Sequence, residues 1–179
     1  MPRLTYELNP VVRMTASAVG LPGQRTFYLQ ARDNERLLTL LCEKTQVADL
    51  VTAIETLADQ VDEKKPLSSP STPIPDEALE LEEPLEPAFR IGQMGLGYDD
   101  EADAIVLVAY ELPEAEDVDP DTLSVARFWI ARELARAVAR HAATVVASGR
   151  PICPLCGEPI DADGHICPKK NGHKKIETT

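Results

Sequence analysis

Four side chains near the C-terminus have the types and spacing to hold a metal ion. Cys153 and Cys156 are separated by two residues, a gap that lets both thiolates face one ion. Gly157 follows directly and permits the tight turn that presents backbone amides to the sulfurs. Cys167 supplies a third thiolate, and the turn Asp161-Ala162-Asp163-Gly164 can fold it back towards the first pair. The fourth ligand is an imidazole, from His165 or from His173. His165 can share a face with Cys167 on an extended backbone, whereas His173 stands at a spacing used in zinc fingers. Residues 169–179 read as a fraying tail, which makes His165 the better candidate. Three thiolates and one imidazole suit zinc and fill its tetrahedron. No position remains for water or substrate, and thiolate donation weakens the ion as a Lewis acid. The expected cofactor is therefore structural Zn2+, with no catalytic residues. A deaminase-like reading fails, because no His-x-Glu precedes the cluster and no separate Pro-Cys-x-x-Cys half exists.

The 179 residues leave room for one core and a small appendage. A formal charge of -12 argues against general affinity for nucleic acid or anionic membranes. That acidity is regional, since residues 76–121 carry 16 acidic side chains against Arg90 alone. Neither a basic-plus-apolar leader nor an apolar run of ~20 residues is present. A cytoplasmic location without membrane association is expected. Thiols stay reduced there, so the cluster reads as metal-binding rather than as a disulfide scaffold. Cys42 stands alone in an apolar stretch and reads as a buried thiol.

The elements that must position these residues follow from periodicity and turn chemistry. Strands are expected at 3–9, 11–19, 25–31 and 36–43, with Gly20-Leu21-Pro22-Gly23 and Asp33-Asn34 as turns. A helix over 46–61, capped by Thr45, aligns Val47, Leu50, Val51, Ile54, Leu57, Ala58 and Val61. Prolines, serines and glutamates then mark 62–87 as a flexible insertion. Two more strands at 88–96 and 104–112 lead to the longest helix, from Asp121 or Thr122 to Ser148. The fold class is α+β: a mostly antiparallel sheet of about six strands, two main helices and a small C-terminal zinc-ribbon-like knuckle. Residues 1–149 form the α+β domain, and 150–179 form the knuckle and a basic tail. Strands feeding one amphipathic helix occur twice, without a residue-level repeat behind them.

Projected on that last helix, Ile130, Leu134, Ala137, Val138, His141 and Val145 gather on one side, with His141 a core or boundary histidine. Arg132, Arg136 and Arg140 recur every four residues on the other, with Trp129 at their shoulder. This face is either solvated or an interaction surface for protein or nucleic acid. Alternatively, the acidic band lies against it. Gly92-x-x-Gly95-x-Gly97 sits in a strand with no helix after it, so its glycines mark a bulge or close approach rather than a nucleotide loop. The acidic turn Asp99 to Asp103 matches no calcium-loop spacing. The favoured reading is a non-catalytic, zinc-containing interaction or adaptor protein whose partner is a protein rather than nucleic acid. One alternative is an enzyme or enzyme subunit holding a small or nucleotide-like ligand in the sheet–helix crevice, through Arg25, Gln30, Arg32 and Lys44. Another is an RNA-binding protein using Trp129, Arg132, Arg136, Arg140 and the terminal lysines.

The opening Gly20-Leu21-Pro22-Gly23-Gln24-Arg25-Thr26-Phe27-Tyr28-Leu29-Gln30-Ala31 resembles an uncharacterised bacterial family. That family is common in actinobacteria, and its members are often labelled hypothetical or "repeat" protein. Glu43-Lys44-x-Gln46-Val47 and Gly149-Arg150-Pro151-x-Cys153-Pro154-x-Cys156-Gly157 are similar too, as are Asp163-Gly164-His165-x-Cys167-Pro168 and Asn171-Gly172. The resemblance covers nearly the full length. It implies that the histidine matching His165 is kept while the position of His173 is commonly tyrosine, which favours His165 as ligand. It implies no activity and no catalytic residue.

Overall fold

The computed structural model describes residues 3–69, 72–161, 163–169 and 175–176. Its strands are β1 (Thr5–Leu8), β2 (Arg13–Val19), β3 (Thr26–Arg32), β4 (Leu37–Cys42), β5 (Pro87–Asp99), β6 (Ala104–Glu111), β7 (Val125–Ala131), β8 (His165–Ile166) and β9 (Lys175–Ile176). Helix α1 (Lys44–Lys64) follows β4, and α2 (Arg132–Ala147) follows β7. The α+β class holds, but the main sheet has seven strands and is mixed, not six and largely antiparallel. Its order is β1-β7-β6-β5-β4-β3-β2, with β1 parallel to β7 and β4 parallel to β5.

The additional strand comes from residues expected to open the long helix. In β7, Ala126, Phe128 and Ile130 are buried while Arg127 and Trp129 are half-buried on the other face. That is a period of two, carried by β-favouring Val, Phe, Trp and Ile. Helix α2 therefore starts at Arg132 rather than at 121–122, and α1 is the longer of the two. Helix α1 also starts two residues earlier than expected, at Lys44 rather than Gln46. Thr45 lies inside it, and the Gln46 side chain instead accepts a hydrogen bond from the Glu43 amide at 2.8 Å.

Connectivity forces the sheet to curl. Strands β1 and β2 sit at opposite edges, which would be roughly 29 Å apart in a flat seven-stranded sheet. Residues 9–12 join them and can span only about 17 Å. The Val11 amide donates to Trp129 of β7 at 2.9 Å, and the next amide, Val12, donates to Arg32 of β3 at 2.8 Å. The two edges meet at this corner, giving a half-closed barrel. Strand β5 makes the same change of partner internally: its start pairs with β4 in parallel, and the rest pairs with β6 antiparallel. The shift falls at Gly92, where an added Cβ would lie 2.8 Å from the Leu112 backbone, so the expected bulge and close approach coincide. The chain is thus two similar halves, β1–β4 with α1 and β5–β7 with α2. The helices pack on each other, and one apolar core joins both halves.

Within the acidic connection expected to be flexible, residues 77–82 are fastened to the barrel. Buried Gln30 donates to Glu82 O at 2.9 Å and accepts from its amide at 2.8 Å. Arg13 donates to the carbonyls of Glu77 and Glu80, Thr15 donates to that of Leu79, and Arg32 pairs with Glu82. Leu79 itself is buried.

The arginine row is divided by this architecture. Arg132, only 3% exposed, donates to Asp62 of α1 at 2.7 Å, to the Lys65 carbonyl at 2.7 Å, and pairs with Asp103 at 3.2 Å. Arg136 binds Asp59 and Asp62, whereas Arg140 is exposed. Burial pushes the Asp62 carboxyl up, but hydrogen bonds from Arg136 and Arg132 more than offset it. Asp103 is lowered first by the Tyr98 hydroxyl and then by Arg132. Carboxylates depressed on folding stabilise above their unfolded value and lose that contribution as pH falls through the folded one. Thermal unfolding should therefore show stability declining below about pH 4. Asp62→Asn should flatten that decline while lowering stability at neutral pH by on the order of 2 kcal/mol, less than a fully buried pair would lose because Asp62 is 29% exposed. An unchanged acid profile in that variant would show that other groups titrate.

Candidate metal centre

The four predicted ligands converge. The ligand atoms of Cys153, Cys156, His165 and Cys167 all lie within 4.8 Å of one another. Cys153 Sγ and Cys167 Sγ are 3.9 Å apart, and Cys156 Sγ is 3.3 Å from His165 Nε2. A tetrahedron with metal–sulfur bonds of about 2.3 Å places its sulfurs roughly 3.8 Å apart, close to the observed separation, whereas a disulfide needs about 2 Å. The cluster can hold a metal ion. His173 lies outside the described residues.

Local backbone chemistry builds this arrangement from short loops. A bridge between Ile152 and Pro159 pinches the first loop, and the Gly157 amide donates to the Cys153 carbonyl at 2.9 Å. Gly157 has φ of +77°, and Gly164, which opens the segment carrying His165, has φ of +85°. Burial pushes the Cys153 thiol up, yet the amides of Cys156 and Leu155 and the neighbouring sulfurs bring it below its ordinary value. For Cys156, the Glu158 amide pulls down, while burial and the sulfurs of Cys153 and Cys167 outweigh it and raise the thiol. Strand β8 carries His165 and pairs antiparallel with β9. Among the described residues, the apolar interior of the unit is little more than Ile160 packed with Cys153 and Cys167.

A family model described as protein of unknown function, DUF3090, matches residues 6–167. The chain belongs to that family. The matched span contains all four residues of the cluster and stops short of His173. Searches of curated proteins and of solved structures found no match.

Other sequence candidates fall elsewhere. Cys42 is buried in the main core, and burial pushes its thiol up to about 12, so it is an inert packing residue. Asp99 accepts hydrogen bonds from two turn amides and from Trp129 Nε1, at 3.0 Å for the indole. The acidic turn therefore serves Trp129 and Arg132. His141 is half-buried, with Nε2 buried and unpartnered. Of the four crevice residues, Gln30 and Arg32 bind the acidic connection, while Arg25 and Lys44 approach each other near Gly149. No described helix is long and apolar enough to cross a membrane. The cluster predicts that Cobalt(II) added to metal-free protein will give the visible bands of tetrahedral thiolate coordination. Cys153→Ser should lose those bands and bind metal at least tenfold more weakly, while His173→Ala should keep both. Full retention of metal by Cys153→Ser would refute this ligand set.

Proposed function

We propose that the protein is a non-catalytic cytoplasmic adaptor whose C-terminal unit is held by a structural zinc ion and offers an apolar face to a protein partner. The observation that carries this reading is the closeness of three sulfurs and one imidazole nitrogen, a donor set that saturates a tetrahedral ion. Zinc suits mixed thiolate and imidazole ligands, and such a full shell leaves no place for an attacking water. With so little apolar interior of its own, the unit relies on metal binding for its folding energy. Around the cluster, Ile152, Leu155 and Ile166 are exposed, a placement that favours a protein contact. The commitment of Arg132 and Arg136 to carboxylates weighs against the RNA-binding alternative.

Elemental analysis of purified protein should find about one zinc per chain, the stoichiometry of a single tetrahedral site. Affinity purification should recover a protein partner with the native chain and lose it with the combined change Ile152→Asp, Leu155→Asp and Ile166→Asp. Absence of zinc would refute the staple. A partner that binds the triple variant equally well would refute the apolar face.

A further inference from the structure

The two halves of the barrel carry side-chain triads at equivalent points, with opposite charge balance. Around the start of α2 in the second half, Arg132 opens that helix, Asp103 directly precedes β6, and Asp62 reaches in from the end of α1 in the first half. One guanidinium there meets two carboxylates, at 2.7 and 3.2 Å. In the first half, Lys44 opens α1 and Arg25 directly precedes β3. Arg150 stands as far along the chain from the start of α2 as Asp62 stands from the start of α1. Where the second half has one cation and two anions, the first has three cations.

All three line one cleft of about 280 Å3 between the barrel and the metal unit. A Cβ on Gly149 would lie 2.6 Å from Lys44 Nζ and 3.2 Å from Arg25 Nη2. The two charges are therefore within about 6 Å of one another, beside bare backbone, where like charges repel. Arg25 donates to the Val145 carbonyl at 2.7 Å and lies 5.0 Å over the Phe27 ring, and its Nε is buried with no partner. Neither Arg25 nor Lys44 forms an ion pair among the described residues. Glu43, the carboxylate in the cleft lining, is engaged by Arg90 at 2.6 Å, and Asp161, outside that lining, pairs with Arg150 at 2.7 Å.

The geometry points to an oxyanion site: a small molecule bearing a phosphate or diphosphate group binds between Arg25, Lys44 and Arg150, supplying the negative charge that Asp62 and Asp103 supply in the other half. Guanidinium forks match phosphate oxygens, and lysine adds a point charge. The first turn of α1 contributes its positive end. The cleft is at the small end of ligand sites, so it suits the phosphate group rather than a whole nucleotide. The net charge of -12 opposes a polyanionic chain.

Isothermal titration of the full chain with inorganic phosphate and with pyrophosphate, at low salt, tests this. Saturable pyrophosphate binding is expected, weakened at least tenfold by Arg25→Gln and by Lys44→Gln and unchanged by Arg140→Gln. Should Arg25→Gln disturb folding, as read by circular dichroism, Lys44→Gln carries the test, because that side chain is exposed. No saturable binding of either anion at millimolar concentration overturns the site. So does equal binding by the Lys44→Gln variant. A single-stranded RNA that bound more tightly than pyrophosphate would overturn the small-molecule assignment.

Discussion

A connection of four residues between strands at opposite edges of a seven-stranded sheet governs this molecule. Such a link cannot reach across a flat sheet, so the sheet has to curl until its edges meet. Val11 and Val12 mark the meeting, since adjacent amides bond to β7 and β3. Closure protects both outer strands at that corner, removing the exposed ladder that invites association with another chain. It also fixes where the helices go. Each leaves the last strand of its half and packs against the other, so the end of α1 meets the hairpin of β5 and β6, and the end of α2 meets that of β2 and β3.

Buried polar groups then set register where apolar packing alone would be permissive. Gln30 has its amide shared between Thr39 and Glu82, so the acidic connection gains a fixed anchor on the barrel. Arg132 performs a similar task at the helix junction, tying the start of α2 to the end of α1 and to the β5–β6 turn. Leaving either group without its partners would cost more than the hydrogen bonds themselves contribute, because desolvation is not recovered.

The sequence announced what depends on local chemistry. Alternation in β1, β-favouring or apolar runs and turn signals identified β1 to β6, and a stripe of Val, Leu and Ile identified α1. The spacing of Cys153, Cys156, His165 and Cys167 was legible because metal ligation demands a few residue types at short range. Strand β7 was not legible as a strand. Ala126, Arg127 and Ala131 are good helix formers, and the apolar stripe of α2 extended plausibly backwards to Ile130. What makes the segment a strand is tertiary: β6 on one side and β1 on the other, partners far away in the chain. The anchoring of residues 77–82 was hidden for the same reason, since nothing in a Pro- and Glu-rich run reveals two arginines and a glutamine waiting on distant strands. The twofold echo was visible only as an order of elements. Its physical meaning, two matched triads of opposite sign, needed the fold.

Arg150 joins the two C-terminal features. Its guanidinium pairs with Asp161 of the metal unit and also lines the cleft with Arg25 and Lys44. A side chain so long holds one position only when both ends of its environment are fixed. The barrel fixes one, through Gly23, where an added Cβ would press on the Arg150 side chain at 3.0 Å. The cysteine-bearing unit fixes the other, and among its described residues the apolar interior is little more than Ile160. If the cluster holds a metal ion, its loss would release Asp161 first and the third cation of the cleft with it, while Arg25 and Lys44, seated on the barrel, would remain. Metal occupancy of the cluster would thus bear on the charge of the cleft through the single Arg150–Asp161 ion pair, although the two sites share no ligand.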